Sequence, residues 1–230
     1  MRKKEPWKEE VEIGAGEVLL AGNLEVPTDA GGIVLFAHGS GSSRLSPRNR
    51  FVAQILRKKG SGTLLFDLLT PEEEEEDERT AALRFDIEFL AERLRRAAHW
   101  LQGYLGEPKA ALGFFGSSTG GGAALVAAAR EGAAIAAVVS RGGRPDLAGA
   151  ALARVRSPTL LIVGGADHPV LRLNQEALGE LRCEKELAVV PGATHLFEEP
   201  GALEEVARLA ADWFRRHWPK KQPSSAAGDD

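Results

Sequence analysis

The sequence predicts an α/β fold, a mostly parallel sheet with helices packed on both faces. Short runs rich in Val, Ile, Leu and Phe alternate with longer segments of helical periodicity, as repeated βαβ units require. Several of the short runs are continuously apolar, such as GIVLFA over residues 32–37, which suits strands covered on both faces. The chain has 230 residues, 43% of them hydrophobic, enough for one large core but short of the roughly 250 residues at which chains tend to divide.

The elements follow in order. Residues 18–27 alternate in polarity around Gly22 and predict an early antiparallel strand. Strands are expected at 32–37, 63–69, 109–115, 133–140, 159–164 and 186–190. Helices are expected at 47–59, 85–105, 119–130, 147–155, 170–181 and 202–218. In the second of these, Phe85, Phe89, Leu90, Leu94, Ala97 and Leu101 recur at helical spacing. The domain organisation read from this is an N-terminal extension over 1–14, one domain over 15–218, and a polar, disordered tail over 219–230. The acidic run 72–78 (EEEEEDE) reads as a solvated, self-repelling loop. Consecutive carboxylates on such a loop do not converge on one ion, so no metal site is expected.

Composition narrows the function. A net charge of −4 and a pI near 5.8 lack the basic excess of a nucleic-acid binder. Cys183 is the one cysteine, so no intrachain disulfide is possible. No run approaches the ~18 apolar residues of a membrane span, and no signal-peptide pattern follows the N-terminal charges. The expected location is the cytoplasm, and no membrane or nucleic-acid partner is expected.

The chemistry-bearing motif is Gly116-Ser117-Ser118-Thr119-Gly120, a match to G-x-S-x-G. Alone it is weak, but it lies between the strand KAALGFF and the helix TGGGAALVAAAR, the setting a nucleophile elbow needs. Glycines flanking the serine relieve crowding where strand turns into helix. Ser117, at the x position, is the neighbouring alternative, and an ordinary tight turn is the plain one. A serine needs a base. His99 and His217 sit within helices, whereas His195 (PGATHLF) follows the last strand and Asp167 (GGADHPV) follows the strand before it. The order Ser118, Asp167, His195 is that of an α/β-hydrolase triad. A helix N-cap is the plain reading of Asp167, and Asp67, at the end of TLLFDLL, is the next candidate acid. His38-Gly39-Ser40-Gly41-Ser42-Ser43 follows a strand, so the backbone N–H groups of Ser40 and Thr119 are assigned to the oxyanion hole, with His38 bracing the loop. Neither a Walker lysine nor a Rossmann fingerprint accompanies the glycines.

The elbow GSSTG, the loop HGSGSSR and the segment PGATHLFEEPGALE resemble the dienelactone-hydrolase-like branch of the α/β-hydrolases over roughly residues 15–218. The resemblance implies an eight-stranded, mostly parallel sheet with little or no lid. It departs at the elbow, where dienelactone hydrolases proper carry cysteine and this chain has Ser118. What it implies is a hydrolase of small carboxylic esters that needs no cofactor. An acyltransferase or thioesterase on the same site, or a non-catalytic binding protein of the same fold, are the alternatives. Arg141 and Arg144 in SRGGRPDL follow the strand next to the nucleophile strand and are candidates to fork around an anionic substrate group, or else to pair with Asp146. Oligomeric state is not readable from the sequence.

Overall fold

A computed structural model describes residues 6–106 and 110–219. Its strands are β1 (Trp7–Gly14), β2 (Leu19–Val26), β3 (Ile33–Ala37), β4 (Gly62–Phe66), β5 (Leu112–Ser117), β6 (Ile135–Arg141), β7 (Thr159–Gly164) and β8 (Lys185–Val190). They form one eight-stranded sheet in the order β1-β2-β4-β3-β5-β6-β7-β8. β1 and β2 are antiparallel additions at one edge, and β4, β3, β5, β6, β7 and β8 run parallel. The helices are α1 (Pro47–Lys58), α2 (Pro71–Thr80), α3 (Ile87–Leu105), α4 (Thr119–Glu131), α5 (His168–Glu180) and α6 (Ala202–His217). This is the α/β-hydrolase architecture.

Two cores lie on the two sheet faces. One joins α3 and α4 to the sheet through Leu94, Leu101, Leu125 and Phe114. The other joins α1 and α6 through Leu56, Phe115, Val206 and Phe214. β3, β4 and β5 are buried along their whole length because both faces are covered. The interval between β6 and β7 holds only a 3₁₀ segment, Pro145–Arg154, so no lid domain is inserted there.

Two expectations are corrected. Residues 7–14, read as an extension ahead of the domain, are β1, the eighth strand of the sheet. Val11 and Ile13 point into the core while Lys8, Glu10 and Glu12 face out. The charged outer face suits an edge strand and masked the alternation. The acidic run 72–78 is helical, not a loop. Thr70 Oγ1 accepts Glu73 N–H at 3.2 Å, and Glu73 Oε2 accepts Thr70 N–H at 2.9 Å, a capping box followed by Pro71 at the first helical position. Glu72, Glu73 and Glu74 favour the positive end of the helix. Asp77 turns inward, where its carboxylate accepts Leu83 N–H at 2.7 Å, Arg84 N–H at 3.0 Å and Arg84 Nε–H at 2.6 Å. α3 starts at Ile87, with Asp86 capping it, and leaves Phe85 exposed. The expected tail from 220 onward lies outside the described residues.

Candidate active site

β5 ends at Ser117 and α4 begins at Thr119, so the whole change of direction falls on Ser118. Its backbone sits at φ 52° and ψ −123°, a conformation that suits glycine and costs other residues on the order of 1–3 kcal/mol. The neighbours impose it. Ser118 N–H donates to Arg141 O at 3.3 Å, and Ser118 O accepts Gly121 N–H and Arg144 N–H, each at 3.0 Å. No side chain fits at the two flanking glycines. A Cβ on Gly116 would lie 2.3 Å from Gly120 O, and one on Gly120 would lie 2.2 Å from Ala37 O.

Asp167 and His195 come from the loops after β7 and β8. Gly165 N–H donates to Val190 O at 2.8 Å, and Ala166 N–H to Ala193 O at 2.9 Å. These bonds lace the two loops together. They bring Asp167 Oδ2 to 2.7 Å from His195 Nδ1. Asp167 does occupy the N-cap position of α5, but its side chain caps no helical N–H. Its carboxylate is committed to the imidazole. Nδ1 therefore carries the donated proton and Nε2 is left without it, free to accept, on a side chain 40% exposed. The ring stands beside the elbow: a Cβ on Gly142, one residue past Arg141, would lie 3.6 Å from His195 Cε1. The structure thus gathers Ser118, Asp167 and His195 at the carboxyl edge of the sheet.

The sequence model of the dienelactone hydrolase family matches residues 22–218. The chain belongs to this family. A dienelactone hydrolase from Anabaena variabilis is 57% identical, with a TM-score of 0.91, covering 94% of this chain and 100% of that one. Est1E from Butyrivibrio proteoclasticus shares the fold, with a TM-score of 0.74 at 14% identity over 90% of this chain and 98% of its own. Two Mycobacterium tuberculosis proteins whose names describe a phosphoribosyl transferase are 58% identical over 216 residues, 94% of this chain and 48% of theirs. The chain spans about half the length of these curated relatives, and their name belongs to the longer proteins.

In this dienelactone hydrolase family member the loop after β3 closes on the elbow. Thr119 N–H opens α4 and has no acceptor within its own helix, so it is available to an oxyanion. Ser40 N–H points at the elbow but donates to Thr119 Oγ1 at 3.1 Å. The two residues expected to supply the oxyanion hole are therefore already bonded to each other. His38 Nε2 accepts Leu68 N–H at 3.0 Å, and the proton on Nδ1 is donated to Gly39 O at 3.0 Å. That ring is neutral and tied to the loop after β4, and burial holds its pKa below the ordinary value. Asp67 accepts Arg44 N–H at 2.7 Å and pairs with the Arg44 guanidinium, so it braces the loop. Sequence reading did not find Arg44, whose partner lies 23 residues away.

A cavity of about 150 Å³ opens beside Ser40 and Thr119, with Leu68, Leu69, Leu90, Glu74 and Glu78 among its lining. Glu74, Asp77 and Glu78 in its lining come from α2, and Asp67 and Arg84 also line it. The two candidate arginines do not fork around one point. Arg144 gives Nε and Nη2 to the two Asp146 oxygens at 2.8 and 2.7 Å. Arg141 is buried at the end of β6, and its Nε and Nη1 have no hydrogen-bond partner among the described residues.

Proposed function

We propose that the protein hydrolyses carboxylic esters through an acyl-enzyme on Ser118. The observation that carries this reading is the 2.7 Å contact between Asp167 Oδ2 and His195 Nδ1 at the same sheet edge as the strained Ser118. Ser118 Oγ attacks the ester carbonyl carbon as its proton passes to His195 Nε2. Asp167 stabilises the imidazolium. The developing oxyanion takes hydrogen bonds from Thr119 N–H and the Ser40–Thr119 pair. His195 returns the proton to the leaving alkoxide, and the alcohol departs. Water then attacks the acyl carbon with His195 again as base, and the acid and free Ser118 result.

The cavity beside the oxyanion donors supports a short acyl group. At about 150 Å³ it matches the space that holds one benzene molecule. Butyrate esters of 4-nitrophenol are expected to have higher kcat/KM than laurate esters. Labelling by a fluorophosphonate, lost in Ser118→Ala, tests the nucleophile directly. Unchanged hydrolysis in Ser118→Ala, or a preference for laurate, would refute the respective part of the reading.

A further inference from the structure

At the edge where the parallel strands begin, opposite the candidate active site, lies a hollow of about 730 Å³. Arg130, Arg154, Arg156 and Arg182 line it, with Ala129 and Val155 between them, and no carboxylate among the described residues is in its lining. The four arginines come from three parts of the chain. Arg130 lies in the last turn of α4, Arg154 ends the 3₁₀ segment before β7 and Arg156 follows it, and Arg182 stands between α5 and β8. Cys183, also in the lining, donates its S–H to Thr159 Oγ1 at 3.7 Å. Thr159 is the first residue of β7, whose other end, Gly164, leads to Asp167. The length of β7, at about 3.3 Å per residue, therefore separates the hollow from the triad.

The charge around this hollow is not balanced. Arg130 is paired with Glu88, whereas Arg154, Arg156 and Arg182 form no ion pair among the described residues. Complementing the negative end of a helix accounts for Arg130 and Arg154, each in the last turn of its helix. It does not account for Arg156 and Arg182, which stand in the connections to β7 and β8. The carbonyls that end α4 are engaged elsewhere: Ala128 O accepts Gly132 N–H, and Gly132 O accepts the Ser157 hydroxyl at 3.4 Å. The whole chain carries a net charge of −4, so this concavity is a local reversal of sign. A cleft lined by one sign of charge focuses its field and concentrates counter-ions there.

We propose that this hollow binds a small organic anion carrying two or more phosphate groups. Every cation in its lining is an arginine, whose planar fork matches phosphate oxygens in pairs, as a lysine ammonium does not. One phosphate occupies one or two guanidinium groups, so three unpaired ones call for more than one phosphate. The volume lies within the range of small-molecule pockets. A nucleic-acid strand is a poorer match, because it follows a stripe of positive charge and the chain outside the hollow has an acidic excess. The inference is independent of the ester-hydrolase reading, since the hollow shares no residue with the triad or with the cavity beside Thr119.

Titration calorimetry on the full chain tests it, with ATP and tripolyphosphate as probes and AMP as the single-phosphate control, in magnesium-free buffer at physiological salt. ATP or tripolyphosphate should bind with a Kd below about 1 mM and at least about tenfold more tightly than AMP, the gain from one further charge-assisted contact. The double variant Arg156→Gln, Arg182→Gln should lose about tenfold or more of that affinity. The double variant Arg50→Gln, Lys58→Gln removes the same charge from α1 in the other core and should bind as wild type does. All four of these side chains are exposed, so both variants should fold. Cys183, the one cysteine of the chain, reports occupancy: ATP should slow its reaction with N-ethylmaleimide in wild type and not in the Arg156, Arg182 variant. Failure of both ATP and tripolyphosphate to bind below millimolar, AMP bound as tightly as ATP, or equal affinity in wild type and the Arg156, Arg182 variant overturns the inference. So does tighter binding of a short DNA duplex or of polyglutamate than of either phosphate probe, which would make the hollow a surface for a macromolecule. Fluorophosphonate labelling of Ser118 tests the hydrolase reading separately.

Discussion

Ser40 N–H donates to Thr119 Oγ1 at 3.1 Å, which joins the loop after β3 to the first residue of α4. The hydroxyl that accepts this bond keeps its own hydrogen free to donate. Under the proposed mechanism Thr119 would offer both N–H and O–H to the oxyanion. Thr119→Val should lower kcat by about a hundredfold, the loss seen for one oxyanion donor, with KM little changed. Thr119→Ser should retain most of the activity. A Thr119→Val variant with undiminished kcat would mean that the hydroxyl only occupies Ser40 N–H.

The positive φ of Ser118 opposes stability. Ser118→Gly removes the steric cost of φ 52°, on the order of 1 kcal/mol. That variant should be inactive yet melt about 2–4 °C higher than wild type, the shift such an energy gives in a domain of this size. Ser118→Ala should be equally inactive with an unchanged melting temperature. Calorimetry of the two variants separates strain from side-chain loss, and equal melting temperatures for both would show that the turn stores none.

Asp167→Asn keeps the shape of the carboxylate and removes its charge. By analogy with the serine protease triad, where the corresponding change was measured, kcat should fall by about 10⁴-fold. A loss under tenfold would transfer the role to another carboxylate. Asp67 is the remaining candidate by sequence, but its carboxylate is occupied by Arg44.

His38 makes stability depend on pH. Its folded-state pKa lies below the ordinary 6.5, lowered chiefly by burial, so the unfolded chain takes up this proton first as pH falls. Stability is complete above pH 6.5 and declines below it, down to the folded-state pKa, by at most about 1.4 kcal/mol per pH unit. Urea midpoints between pH 8 and pH 5 should fall more steeply for wild type than for His38→Gln. Parallel slopes would assign the pH dependence to other groups.

Local patterns in the chain account for most of the architecture. The apolar runs that became β3 to β7 are legible because both faces of a parallel sheet are covered, so burial leaves its mark on nearly every residue; β8, at the other edge, is largely exposed. β1 was not legible, since a strand exposed on one face at an edge keeps only Val11 and Ile13 as its signal among glutamates. α2 was misread for a related reason. Its glutamates dominate the composition, while its start rests on the short pattern Thr70-Pro71-x-Glu73, whose two reciprocal hydrogen bonds outweigh self-repulsion in the first turn.

The candidate nucleophile, acid and base were readable because each follows a strand, and a parallel sheet carries every such loop to one edge. Their contact, and the partners of the loops around them, were decided by folding. The residues that tie His38 to Leu68, Arg44 to Asp67 and Ser40 to Thr119 lie 30, 23 and 79 positions apart, and sequence spacing carries no information about such meetings. The two arginines show the division within one segment. In sequence Arg141 and Arg144 are equivalent. In the fold, strand alternation turns Arg141 inward to the α1–α6 face, whereas Arg144 lies past the strand end and reaches Asp146, two residues on. The physical reason is that residue type and period determine what a segment becomes, whereas only the packed sheet determines which charges remain without a partner.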